Sequence, residues 1–176
     1  MDESRRDRFE RVAPTLIEPL RRYLARRTDP ATADDVLADT LLVCWRRVED
    51  LPDDPLPWAY GVARLSLRNA ERSARRQRRV AARVAAVDPP AERSADPVEP
   101  DEHLATALAA LRPEDAELLR LWAWEQLSAA EIATVLEITP NAASIRLHRA
   151  RGRLADRLRK TGGAAGHEES RGGREP

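Results

Sequence analysis

LSAAEIATVLEITPNAASIRLHRARGRL, Leu127 to Leu154, is the stretch whose reading decides the fold of this chain. Ser128 followed three residues later by Glu131 has the form of a capping box, in which each side chain satisfies a free backbone N–H of the other residue, so a helix starts there. Ile132, Ala133, Val135 and Leu136 supply its inner face, and Ala133 is small enough for a second helix to approach closely. Ile138 closes a corner, Thr139 caps the next helix, and Pro140 stands in a first turn, where its missing N–H costs nothing. Two short helices meeting at such a corner form a helix-turn-helix. Its second helix offers its first residues to base edges in the major groove and its flanking cations to phosphates. Asn141, Ala142, Ser144, Ile145 and Arg146 are the candidate readers beside the capping Thr139, with Arg149, Arg151 and Arg153 placed on phosphate. An ordinary helical hairpin with a solvated arginine face would explain any one of these features, but not their joint spacing.

The rest of the chain carries the same helical signature. Alanine, leucine and arginine dominate and glycine is scarce, a mixture that favours helices because unbranched side chains lose little rotamer freedom there. The expected fold class is all-α. Thirty basic side chains balance thirty acidic ones, which at first argues against a phosphate-rich partner. The balance hides segregation: arginines crowd into 64–83 and 146–160, whereas acids collect between Asp88 and Glu102.

Towards the N-terminus, Phe9, Val12, Leu16, Leu20 and Leu24 recur at spacings of three and four, the stripe of an amphipathic helix over Arg8 to Arg27. Thr28, Asp29 and Pro30 stop it. A second helix is expected from about Thr32, capped by that hydroxyl, to about Glu49, carrying Val36, Leu37, Leu41, Val43, Cys44 and Val48. Three prolines between Asp50 and Pro57 make a stiffened loop. A third helix is expected from Trp58 to about Val84, with Trp58, Val62, Leu65 and Leu67 on its apolar side. Seven arginines (64, 68, 72, 75, 76, 78, 79) against Glu71 then point to phosphate. Residues 85–102 have the proline-rich, acidic composition of a flexible linker. A second domain spans 103–160, with Leu104, Leu108, Leu111, Leu118, Leu119, Leu121 and Trp122 apolar, and the glycine-rich 161–176 reads as a disordered tail. Trp45, Trp58 and Trp122 are expected in the core and Trp124 as a partly exposed wall.

Several function classes find no support. Cys44 is the single cysteine, which excludes an intramolecular disulfide and cysteine-rich zinc sites and reads as a buried structural thiol. His103, His148 and His167 have no metal-ligand spacing, and no glycine-rich phosphate loop or paired carboxylates in an apolar setting suggest an enzyme. No metal or cofactor is expected. With a charged N-terminus and no apolar run near the roughly 20 residues of a membrane span, the chain is expected in the cytoplasm without membrane insertion.

The helix-turn-helix stretch, above all LSAAEIA and the RLHRAR string at Arg146 to Arg151, resembles region four of the bacterial extracytoplasmic function (ECF) sigma factors. This chain departs from the family in having Glu137 where glycine is usual, at a corner that often needs positive φ, and Ala142 to Ile145 where Thr-Val-Lys-Ser is frequent. The resemblance extends to TADDVLADTLLVCWRRV, Thr32 to Val48, which is similar to the region-two helix that binds the clamp of RNA polymerase. It continues into PWAYGVARLSLRNAERSARR, Pro57 to Arg76, similar to the segment that holds the minus-ten promoter element.

The resemblance implies two small helical domains: a region-two bundle over 1–84 and a region-four helix-turn-helix over 103–160. It assigns core-polymerase binding, at the clamp of the β′ subunit, to Asp35, Val36, Asp39, Thr40, Leu42 and Arg46. Minus-ten DNA goes to Asp54, Leu56, Trp58, Asn69, Arg72 and Arg76, with the loop Leu51 to Pro57 accepting a flipped-out base. The minus-thirty-five element goes to Thr139, Asn141, Ala142, Ser144, Ile145, Arg146, Arg149, Arg151 and Arg153. Promoter DNA, core polymerase and an anti-sigma factor are the implied partners. A polymerase-independent helix-turn-helix regulator stays open as the alternative at this point.

Overall fold

The computed structural model describes residues 2–84 and 102–165, with side chains placed for 4–79 and 104–160. The acidic 85–101 and the tail after 165 lie outside the described residues. Seven α-helices and a short 3-10 turn account for the regular structure among the described residues: α1 Asp2–Ala25, α2 Pro30–Arg46, a 3-10 turn Val48–Asp50, α3 Pro55–Val84, α4 Glu102–Ala109, α5 Pro113–Ala123, α6 Ala129–Leu136 and α7 Pro140–Ala165. They form two compact units, one built on α1 to α3 and the other on α4, α5, α7 and the first part of α6.

In the first unit the three helices pack against one another in every pairing. Leu16, Leu20 and Leu24 of α1 are fully buried, with Tyr23 beside them, as the threefold and fourfold spacing requires. Burying each leucine contributes roughly 1.5 to 3 kcal/mol before entropy is counted. Tyr23 meets Tyr60 of α3 at 5.1 Å between ring centroids. Pro14 and Pro19 lie inside α1, and each removes one donor, leaving the carbonyls four residues earlier, on the exposed Glu10 and Thr15, to solvent.

The element boundaries differ from the sequence expectation for local reasons. α2 starts at Pro30 rather than Thr32 because Asp29 is the cap: its carboxylate accepts the Thr32 N–H at 3.0 Å and the Thr32 hydroxyl at 2.7 Å. These bonds hold the Asp29 carboxyl below its ordinary range. α2 ends at Arg46, and Val48 begins a tighter turn. α3 takes in Pro55 and Pro57, which the sequence assigned to a loop; in a first turn a proline has no intrahelical donor to lose. Its inner stripe is Ala59, Tyr60, Ala63 and Leu67, not Trp58, Val62 and Leu65: Leu65 is 44% exposed. Cys44 is fully buried and its thiol is pushed up to about 11 by desolvation.

In the second unit α7 packs on α4 and α5. Ala107, Leu108, Ala116, Leu118, Leu119, Leu121 and Leu127 meet Ala143, Leu147 and Ala150 in its core. Trp122 is 40% exposed, so it belongs to the surface rather than the core; Trp124, at 38%, is the partly exposed residue expected. α7 continues to Ala165, five residues beyond the expected domain end.

Candidate nucleic-acid interface

The corner between α6 and α7 is built by the predicted chemistry. The Ser128 N–H donates to Glu131 Oε2 at 2.7 Å and the Glu131 N–H donates to Ser128 Oγ at 3.3 Å, a reciprocal capping box. At the other end of α6 the Ile138 N–H reaches back to the Ala133 carbonyl at 3.0 Å and the Glu137 N–H to Thr134 at 3.4 Å. This is a Schellman closure, which requires a left-handed residue, and Glu137 supplies it at φ 55°. Thr139 then caps α7, its hydroxyl accepting the Ala142 N–H at 3.2 Å.

α7 buries Ala143, Leu147 and Ala150, so its opposite side is outward by helical geometry. Asn141, Ser144, Ile145, Arg146 and Arg149 are exposed, and Ala142 is half-buried. Arg151 and Arg153, also exposed, each have a partner inside the unit. Arg153 forms a 2.5 Å ion pair with Asp115, a largely buried carboxylate at the start of α5. The Arg151 guanidinium lies 4.6 Å from the Trp122 ring centroid. Arg153 is therefore committed first to holding α7 on α5. His148, exposed between Ile145 and Arg149, joins the outward face; it follows Ser144 by four residues, and that spacing was the signal that would have found it.

In the first unit the α2 residues divide by face. Asp35, Asp39, Leu42 and Arg46 are exposed at spacings of four, three and four, one continuous outer stripe. Val36 and Thr40 are not part of it. Val36 is 2% and Thr40 0% exposed, and the Thr40 hydroxyl is bonded to the Val36 carbonyl at 2.7 Å. Both lie on the inner stripe with Ala33, Leu37 and Cys44, so they are corrected from contact residues to core.

On α3, Asn69, Arg72 and Arg76 fall on one outward stripe with exposed Leu65, and Trp58, half-buried rather than in the core as expected, stands at its head. Leu65 was missed because an apolar side chain in a helix reads as core. Leu56 is half-buried, and Asp54 is exposed and caps α3, its Oδ1 accepting the Leu56 N–H at 3.4 Å. The preceding loop turns Leu51 inward. Arg8 holds it from α1, donating to the Leu51 carbonyl at 3.0 Å and the Glu49 carbonyl at 3.4 Å. Trp45 is half-buried against Phe9, edge to face at 5.4 Å.

Each unit thus presents a cationic helix with its apolar stripe turned inward, and α2 adds a stripe of two aspartates, an exposed leucine and an arginine. Among the described residues no group of three or more His, Cys, Asp or Glu is placed to hold a metal ion, and no described helix is long and apolar enough to cross a membrane.

Residues 102–154 match the family model described as Sigma-70, region 4. Over 134 residues the chain is 35% identical to the ECF RNA polymerase sigma factor SigL of Mycobacterium tuberculosis, covering 72% of this chain and 75% of that protein. A match of 134 residues is longer than either unit, so the likeness runs into both. The sigma factor RpoE of Bartonella quintana, solved in complex with the anti-sigma factor NepR, shares the fold with a TM-score of 0.56 at 21% identity, covering 86% of this chain and 96% of that one. A chain of the PhyRSL–NepR complex from Sphingomonas sp. Fr1 gives a TM-score of 0.58 at 22% identity, covering 85% and 88%.

Proposed function

The chain belongs to the ECF family of RNA polymerase sigma factors, and from that premise we propose that its three exposed stripes divide the work of binding polymerase and choosing promoters. The single observation that carries this division is the distribution of charge by face: Asp35 and Asp39 ahead of Leu42 with Arg46 after it on α2, and arginines on α3 and α7. Residues 1–84 act as region two and 103–160 as region four, joined by 85–102 and followed by a tail from 161.

Asp35, Asp39, Leu42 and Arg46 dock on the β′ clamp of core polymerase. An exposed apolar anchor ringed by charges suits such an interface, since the leucine gains by burial while the charges select the partner. Trp58, Leu65, Asn69, Arg72 and Arg76, with Asp54 and Leu56 at the mouth of the loop, hold the minus-ten strand. Melted DNA is retained by a cationic groove combined with surfaces for unstacked bases, and Pro52 in the loop, with Pro55 and Pro57 in the first turn of α3, lowers the ordering cost. Thr139, Asn141, Ala142, Ser144, Ile145, Arg146 and His148 face the minus-thirty-five duplex, with Arg149 and Arg151 on phosphate.

The chain performs no covalent chemistry. It contributes binding energy for the open promoter, offsetting part of an unstacking cost of about a few kcal/mol per base. It acts in the cytoplasm, where polymerase and chromosome are. The RpoE relative was solved with an anti-sigma factor, and an anti-sigma factor that covers these same stripes is proposed for this chain. A polymerase-independent regulator is not favoured, because the likeness to SigL continues beyond the helix-turn-helix unit.

Run-off transcription with core polymerase and a promoter library tests the reading: transcripts from promoters sharing two spaced elements are expected, and none at any promoter overturns it. Asp39→Arg should abolish capture of core polymerase; capture that ignores it removes α2 from the docking surface.

A further inference from the structure

Among the described residues of the second unit two tryptophans are exposed, Trp122 near the end of α5 at 40% and Trp124 at 38%. A tryptophan is seldom left outward without a use, because its ring gains more from burial than most side chains. The visible partner of Trp122 is Arg151 of α7, whose guanidinium sits 4.6 Å from the ring centroid. Arg151 follows Ser144 by seven residues and His148 by three, so it shares their face of the helix. It is thus a cation at the edge of the recognition surface, resting on an aromatic ring from a different helix.

Such a support has a physical effect on DNA binding. An unsupported arginine on a helix surface samples many rotamers, and fixing it on a phosphate costs up to about 2 kcal/mol of side-chain entropy. A ring against the guanidinium removes part of that cost in advance, and an aromatic contact consumes none of its N–H donors. The contrast with Arg153 is direct. That arginine spends a donor on Asp115 at 2.5 Å, whereas Arg151 makes its contact within the unit through a ring.

We propose that Trp122 is a positioning residue for DNA binding: it holds Arg151 preorganised for a duplex phosphate beside the major-groove face of α7. The proposal rests on the reading of α7 as a DNA-binding helix. It adds a residue outside that helix, in α5, to the binding machinery.

The test uses the full-length chain and a fluorescent 30-base-pair duplex of mixed sequence, since phosphate contacts do not depend on sequence, with anisotropy followed over a range of salt. Arg151→Ala should weaken binding and lower the slope of log K against log salt by about 1. Trp122→Leu, which changes no charge, should weaken binding about two- to fivefold, the equivalent of an exposed cation–aromatic contact, and Trp122→Phe should restore most of it. In the Arg151→Ala background the Trp122→Leu change should have no further effect. Arg149→Ala separates the two levels of inference. If it weakens binding while Trp122→Leu binds as the parent does, or weakens both backgrounds equally, the positioning role is wrong and the DNA-binding helix stands. If neither Arg149→Ala nor Arg151→Ala changes binding, the reading of α7 falls and the role of Trp122 with it. Thermal melts of each variant identify any loss that comes from unfolding, and a Trp122→Leu protein that binds weakly only because it is unfolded counts against the proposal when Trp122→Phe folds and still binds poorly.

Discussion

Glu137 holds the corner between α6 and α7 at φ 55°, and replacing it by glycine should make the second unit more stable. For an L-residue the left-handed region costs roughly 1 to 2 kcal/mol, from the clash of Cβ with the following carbonyl. Glycine avoids this cost but loses about 0.4 to 1 kcal/mol more to the freedom of the unfolded chain. The difference leaves a net gain of about 0.5 to 1 kcal/mol for Glu137→Gly. A second contribution must be separated from it, because a carboxylate at the C-terminal end of α6 opposes the helix dipole. Glu137→Ala removes the charge but keeps the backbone cost, so the glycine-minus-alanine difference isolates the φ effect. The assay is thermal unfolding of the full chain followed by circular dichroism. For a domain of this size a gain of 0.5 to 1 kcal/mol raises the midpoint by roughly 2 to 8 °C. The Schellman bonds from Ile138 and Glu137 should survive in the glycine variant, so the corner keeps its angle. A glycine variant that melts at or below the alanine variant would refute the argument, because it would mean that the corner is not under backbone strain.

Three further outcomes follow from the same geometry. Arg153→Met strands the Asp115 carboxylate, which is largely buried, while Arg153 itself is about half exposed; the discounted cost is about 1 to 2 kcal/mol by urea unfolding, and DNA binding should suffer less than in Arg149→Ala. Thr40→Val keeps the shape of a fully buried side chain and removes one hydroxyl bond to Val36, so stability should fall by no more than about 1 kcal/mol while capture of core polymerase is unchanged; loss of capture in a folded variant would return Thr40 to the docking surface. Asp29→Ala removes the α2 cap and should cost about 0.5 to 2 kcal/mol at neutral pH. Because the folded Asp29 carboxyl lies below its ordinary value, its contribution is fully present above the unfolded carboxylate range and is lost as pH falls through the folded value, so parent and variant should converge in strongly acidic solution.

The helix-turn-helix was legible almost residue by residue because its ends are written in local chemistry: Ser128 with Glu131, Thr139 with Pro140, and a corner at Glu137 where the missing glycine already signalled positive φ. The faces of α2 and α3 were less legible. A motif matched as a string carries Val36 and Thr40 along with Asp35 and Asp39, yet a helix turns alternate pairs inward, and Thr40 hides its polarity by bonding its own helix. On α3 two apolar stripes compete, and the one with small residues, Ala59 and Ala63, wins the core because alanines let helices approach closely; hydropathy alone favours Trp58 and Leu65. The run Leu118, Leu119, Leu121, Trp122 covers more of α5 than one buried face can hold, and the ring that an arginine from α7 could cover went outward. Gln126, also at positive φ, left no trace in the sequence, since a non-glycine residue in a turn has no compositional mark.

The segregated charges of the first unit give its neutral-looking composition a pattern. Asp34, Asp35 and Asp39 are exposed on the first half of α2, while Arg68, Arg72, Arg75, Arg76, Arg78 and Arg79 are exposed on the second half of α3. Charges separated onto two helices respond differently to the same field. In the DNA-binding role proposed for α3, the field of a polyanion draws its arginines in and repels the α2 aspartates. Added salt shortens the reach of that field to about 8 Å at physiological strength, so the pull and the repulsion both fade beyond that distance.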